Sequence, residues 1–164
     1  MDFYLSFLSS LIATVAVVAT WYIFRVSKTV EYIARLQSPD FMASRIRLLK
    51  LFDEFKAKNA SDEEKVQIVE ASPQLSLDAT WMLNFLQELA VGYKYGLIDH
   101  KIAFDVFDYL VLTYWEELHF LVRSWRKRET NGAFLFRRLE WLYGKYHRVK
   151  LRREARQERV GPPP

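Results

Sequence analysis

The chain has no cysteine, so disulfides, thiolate metal sites and cysteine nucleophiles are excluded. Glycine and proline are scarce, five of each in 164 residues, and three of the prolines stand at the last three positions. So few breaks favour long helices over a strand-and-turn protein. No alternating apolar and polar run is long enough for a useful strand, and there is no internal repeat or long low-complexity tract. A phosphate-cradling glycine loop, a dinucleotide fingerprint and a Ser/His/Asp constellation are also missing. Aromatic residues, by contrast, make up 16% of the chain and are spread through it, which argues against disorder except at the ends.

Charge is absent from Phe3 to Phe24, a run of 22 residues. As a helix it spans roughly 33 Å, enough to cross a hydrocarbon layer of about 30 Å. Tyr4 at one end and Trp21 and Tyr22 at the other suit the two headgroup levels. Arg25, Lys28 and Arg35 follow at once, so the positive-inside rule puts the N-terminus outside and the rest of the chain in the cytoplasm. A cleaved signal peptide is the alternative, with Val17 and Ala19 as the cleavage signal. No basic n-region precedes the run, however, and it continues apolar through Phe24. Ser9, Ala13, Ala16 and Thr20 recur at helical spacing and make a small-residue stripe that predicts close approach of another membrane helix.

The division that follows is an anchor helix over 1–36, a helical bundle over 37–160 and a disordered tail over 161–164. The class is therefore all-α: one N-terminal transmembrane helix and a small cytoplasmic bundle of about five helices. Val26, Val30, Ile33 and Leu36 continue the helical period beyond the anchor. Ser38-Pro39 breaks it and opens a second helix to about Lys58, with the stripe Met42, Ile46, Leu49, Phe52 and Phe55. Ser61 and Glu64 read as a capping box for a short third helix ending before Pro73. Ser76 or Asp78 opens a fourth helix, apolar nearly all round, that ends near Tyr95 at Gly96 and forms the centre of the core. Its Trp81, Phe85 and Leu89 are expected against Val106, Leu110 and Trp115 of a fifth helix, which Asp99 caps and which runs to about Glu129. Asn131-Gly132 turns the chain into a sixth helix from about Ala133 to Arg159, with Leu135, Leu139, Leu142, Tyr146 and Val149 inward.

Charge is unevenly placed. Residues 123–159 hold thirteen basic and four acidic side chains, whereas residues 1–122 hold eleven basic and sixteen acidic. The basic surface is carried by Arg137, Arg138, Lys145, Arg148, Arg152 and Arg153, after Arg123, Arg126, Lys127 and Arg128 at the end of the fifth helix. Next to a membrane such a surface suits anionic lipid; it also suits an acidic protein, nucleic acid or plain solvent. Trp141 shares a helical face with Lys145, Arg148 and Arg152 and is expected as an exposed aromatic among them. Asp105, Asp108, Glu116, His119 and Arg123 share one face of the fifth helix. Their single Glu-x-x-His falls short of a bundle di-metal site, which needs two such motifs and two further glutamates. This face reads as solvated acid, and no cofactor is expected. Glu88, on the least apolar face of the fourth helix, is expected to pair with an arginine or cap a neighbour. His100 and His147 are expected in ordinary solvated roles.

The segment Leu83-Asn84-Phe85-Leu86-Gln87-Glu88-Leu89-Ala90, followed by Gly96-Leu97-Ile98-Asp99, resembles the bacterial domain-of-unknown-function family 4760. Trp115 and Trp141-Leu142-Tyr143 are similar to it as well, so the likeness runs from about Asp78 to His147. The resemblance implies a small helical protein, often with an N-terminal membrane helix, and a bacterial inner membrane; it implies no activity or catalytic residue. The expected function is a non-enzymatic interaction protein, an accessory subunit or adaptor, meeting membrane lipid and a membrane or cytoplasmic protein partner or a second copy. The rivals are a membrane-tethered stress or phage-defence protein that binds nucleic acid through the basic helix, and a metal-dependent enzyme on the Asp105–His119 face.

Overall fold

The computed structural model describes residues 2–160, with side chains over 7–156; the expected tail at 161–164 lies outside the described residues. Six α-helices follow one another: α1 (Asp2–Leu36), α2 (Pro39–Lys58), α3 (Asp62–Ala71), α4 (Pro73–Lys94), α5 (His100–Arg128) and α6 (Arg137–Val160). A single 3₁₀ turn, Gly132–Phe134, joins α5 to α6, and the described residues contain no strand.

Local chemistry accounts for the breaks. Pro39 occupies the first turn of α2, where a missing N–H costs nothing. Ser38 does not cap it with its side chain; its hydroxyl instead donates to the Arg35 carbonyl (2.9 Å). The Ser61/Glu64 capping box is formed in both directions. Asp99 caps α5 by accepting from the backbone N–H of Lys101 and of Ile102, both at 3.0 Å. At Gly132 a Cβ would run into the backbone of Arg126, so the turn into α6 requires glycine.

Two starts differ from expectation. Helix α4 begins at Pro73, earlier than Ser76 or Asp78, because the Ser72 hydroxyl accepts from Leu75 N–H and turns the expected stop into an N-cap. Helix α6 begins at Arg137, later than Ala133. The 3₁₀ turn and a left-handed Phe136 (φ 53°) come first, with Arg126 donating to the Leu135 carbonyl at 2.7 and 3.0 Å.

Helix α4 is the hub, in contact with α2, α3, α5 and α6. Met82, Leu83, Phe85, Leu86, Leu89 and Ala90 are buried there, against Phe107, Leu110, Val111, Leu118, Leu139, Leu142 and Tyr146. The expected partners Trp81 and Val106 are corrected: they are 45% and 40% exposed, because α5 turns its Phe107–Val111–Tyr114–Leu118 face inward. On α2 the expected stripe is also rotated. Phe41, Leu48, Leu51, Phe52 and Phe55 are buried, whereas Met42, Ile46 and Leu49 are 40%, 50% and 38% exposed. Helix α2 carries two apolar stripes, and the aromatic-rich one wins because it also brings Ser44 onto Asp78.

Among the described residues, Asp78 is the buried charge of the bundle. It accepts from Ser44 Oγ (2.7 Å), Gln74 Nε2 (3.0 Å) and the Arg47 guanidinium (2.6 and 2.8 Å), which ties α2 to α4. Burial alone would raise its pKa. The bonds from Arg47, Ser44 and Gln74 outweigh burial and hold the carboxyl below the usual range.

Candidate functional site

From Phe7 to Phe24, α1 is exposed on every side, with its large apolar residues between 40% and 69% accessible. One helix is therefore long and apolar enough to cross a membrane, and no other part of the described chain covers it. From Arg25 onward the same helix lies against the bundle. The Arg25 guanidinium donates two hydrogen bonds to the Ile98 carbonyl (3.0 and 3.2 Å). Thr29 is fully buried, donates to the Arg25 carbonyl and accepts from Asp99 N–H, both at 2.8 Å. Tyr32 meets Phe85 edge-on, and Arg35 pairs with Glu88 at 2.7 Å. The inward face of this half is thus Val26, Thr29, Tyr32, Ile33 and Leu36, and the expected Val30 is 54% exposed.

These contacts fix direction. Arg25 meets Ile98 in the α4–α5 turn while Tyr32 and Arg35 further along α1 meet Phe85 and Glu88 on α4, so α1 crosses α4 and its apolar segment leaves beside that turn. Helix α6 returns to the same end. Arg126 binds Glu140 (2.8 Å), Tyr143 donates to Glu116 (3.1 Å), Tyr146 meets Phe104 and Tyr93, and Arg153 lies over Phe104 (4.4 Å) near Asp105 (3.6 Å). From Tyr146 to Val160 the helix runs on for about 21 Å, past the turn, on the side where α1 emerges.

The basic region consequently divides in two. At the end of α5, Arg123 pairs with Asp62, Arg126 with Glu140 and Arg128 with Glu70, so these cations bind α3 and α6 to the body. On α6, Arg148 and Arg152 are exposed and form no ion pair among the described residues; Arg137 is exposed at the opposite end of the bundle, with Arg138 half-buried beside it. Lys145 sits over the Tyr93 ring (4.8 Å) and the Trp141 ring (5.5 Å). Trp141 is therefore half-buried against the core, not the exposed aromatic expected of it.

The remaining sequence candidates are placed as follows. Tyr4's side chain lies outside the described residues; Trp21 and Tyr22 are exposed, with Trp21 stacked on Phe24. Lys28 pairs with Glu31 at 2.6 Å and lowers that carboxyl's pKa. Ser9, Ala13, Ala16 and Thr20 lie on the exposed segment, and Thr20 donates to the Ala16 carbonyl. The Asp105–His119 face is broken up among neighbours: Asp105 faces Arg153, Glu116 takes the Tyr143 hydroxyl and Arg123 takes Asp62. Among the described residues no three His, Asp or Glu side chains gather as a metal set. His100 is not merely solvated; it stacks on Tyr93 (4.1 Å) and donates from Nε2 to the Tyr93 carbonyl (2.7 Å). His147 stacks on Tyr143.

Sequence reasoning missed Arg25 and Thr29 as the joint between the exposed apolar segment and the bundle. The available signal was a lone threonine in the apolar face of α1.

A family model, described as a domain of unknown function (DUF4760), matches residues 10–146. The chain belongs to this family. The match takes in both the exposed segment of α1 and the bundle as far as Tyr146, and stops before Arg148, Arg152 and Arg153. No curated protein and no solved structure matches the chain.

Proposed function

We propose that this family member is a non-enzymatic, membrane-tethered adaptor. It crosses a bacterial inner membrane once, with its N-terminus outside and its bundle in the cytoplasm. The basic end of α6 rests on anionic lipid, and the small-residue stripe of the span engages another membrane helix, from a partner protein or a second copy. The observation that carries this reading is the docked half of α1. Arg25 and Thr29 fix the bundle to the emerging segment, and the part of α6 that carries the exposed Arg148 and Arg152 lies at that same end of the bundle, which supports the reading. Each cation near an anionic leaflet then contributes roughly 1 kcal/mol. The dispersal of the acidic face of α5 among structural partners supports a role in contact over one in chemistry.

The test is purification of the full chain from native membranes in mild detergent, with cross-linking and identification of what stays bound. A discrete partner or a second copy should be retained, and should be released when Ala13 and Ala16 are both changed to Leu, which closes the approach. A lone monomer that carries a metal and turns over a substrate would contradict the reading.

A further inference from the structure

Where α1 crosses α4 there is a cleft of about 420 Å³, within the range of small-ligand sites. Val91 and Gly92 form its floor, and Leu97 and Ile98 close one end. Its rim holds two cations and two anions: Lys28 with Glu31 at 2.6 Å, and Arg35 with Glu88 at 2.7 Å. All four are about half exposed, so each pair can exchange its partner for a ligand at little cost. Tyr32 also lines the cleft, and its hydroxyl has no hydrogen-bond partner among the described residues. Tyr32 packs beside Gly92, where even an added Cβ would meet its hydroxyl only at 3.7 Å, an ordinary contact distance.

The cleft opens toward the apolar half of α1. Phe24, part of its wall, is shared with an apolar crease formed by Ala16, Val17, Thr20 and Trp21 on the exposed segment. A charged rim joined end to end with an apolar crease at the exit of a spanning helix has the shape of one amphiphile. Resting on the membrane reading above, we infer that this cleft binds a single zwitterionic phospholipid whose headgroup ends in a primary ammonium. Its phosphate lies between Lys28, Arg35 and the Tyr32 hydroxyl, its ammonium on Glu31 and Glu88, and one acyl chain leaves past Phe24 and Trp21, clear of the small-residue stripe that meets the partner helix. The neutral rim selects against a purely anionic headgroup, which would leave the two carboxylates facing a like charge. A trimethylated ammonium has no N–H to give to Glu31 and Glu88, so it binds less well than the primary one.

The experiment is native mass spectrometry of the full chain in detergent, offered phosphatidylethanolamine, phosphatidylcholine or phosphatidylglycerol with identical acyl chains. One phosphatidylethanolamine should be retained about tenfold more tightly than either of the others. Glu31→Gln with Glu88→Gln should erase the preference over phosphatidylcholine. Val91→Trp, which fills the floor, should abolish retention while thermal unfolding stays unchanged. Equal retention of the three lipids, or retention unaffected by Val91→Trp, would overturn the cleft proposal. Carbonate extraction of native membranes separates the two readings. A chain that resists extraction yet shows no preference loses only the cleft, whereas a chain released by carbonate loses both.

Discussion

The two halves of α1 form one continuous helix in two surroundings. From Phe7 to Phe24 every large apolar side chain is open, and Thr14 and Thr20 each donate to the carbonyl four residues earlier on the same helix. From Arg25 to Leu36 the helix is amphipathic, and its inward side is held by polar as well as apolar contacts to residues about seventy positions away. The first half is long and apolar enough to cross a membrane, its own backbone bonds are internal and its side chains have no partner in the bundle. The second half needs the bundle. Hydropathy alone reads the helix as one element; the change of partner at Arg25 determines which way the rest of the molecule faces.

Leu89 is fully buried at the centre of α4. Leu89→Ala should cost roughly 2–5 kcal/mol in chemical denaturation of the full chain. The same variant should stay in the membrane fraction to the same extent as the parent, because the first half of α1 draws nothing from the core. A parallel loss of membrane residence would mean that the two halves are not independent.

A smaller effect is expected at Asp78. Asp78→Asn keeps the shape but removes the charge from the bonds to Arg47, Ser44 and Gln74, and should cost about 1–3 kcal/mol at neutral pH. Because the folded pKa is depressed, the carboxylate's contribution is present above its unfolded pKa of about 4. It is lost as the pH falls through the still lower folded value. Denaturation between neutral pH and about pH 3 should therefore show a shallower acid loss in Asp78→Asn than in the parent. Identical pH slopes would remove the depressed carboxyl as the cause.

Much of this architecture was legible in the sequence. The 22-residue uncharged run, the capping box at Ser61 and Glu64, the Asp99 cap and the proline at position 39 each act within one turn of helix, so local residue types suffice. The Arg35–Glu88 pair was also foreseeable in kind, from an isolated carboxylate on an apolar helix. Three features were not legible, for three reasons. The inward face of α2 was ambiguous because Met42, Ile46 and Leu49 repeat at the same period as the stripe that is buried. Asp78 looked like a cap because Ser72-Pro73 looked like a stop, when together they start α4. The Arg25–Ile98 and Thr29–Asp99 bonds join residues 73 and 70 positions apart, and no spacing rule within a single chain segment reaches that far. The last of these decides where the basic end of α6 lies, so a run of positive charge was visible while its direction was not.

The absence of cysteine makes a direct test of that direction clean, since a single introduced thiol is the only label site. Arg152→Cys and Lys127→Cys place a spin label on exposed positions at opposite ends of the bundle. With the full chain in nanodiscs containing anionic lipid, relaxation by a chelated nickel ion fixed to lipid headgroups reports proximity to the surface. The account predicts strong relaxation at position 152 and little at 127. It also predicts that changing Arg25 to Ala and Thr29 to Val together, which undoes the joint, narrows that difference. Equal relaxation at the two positions in the parent chain, or stronger relaxation at 127, would contradict it.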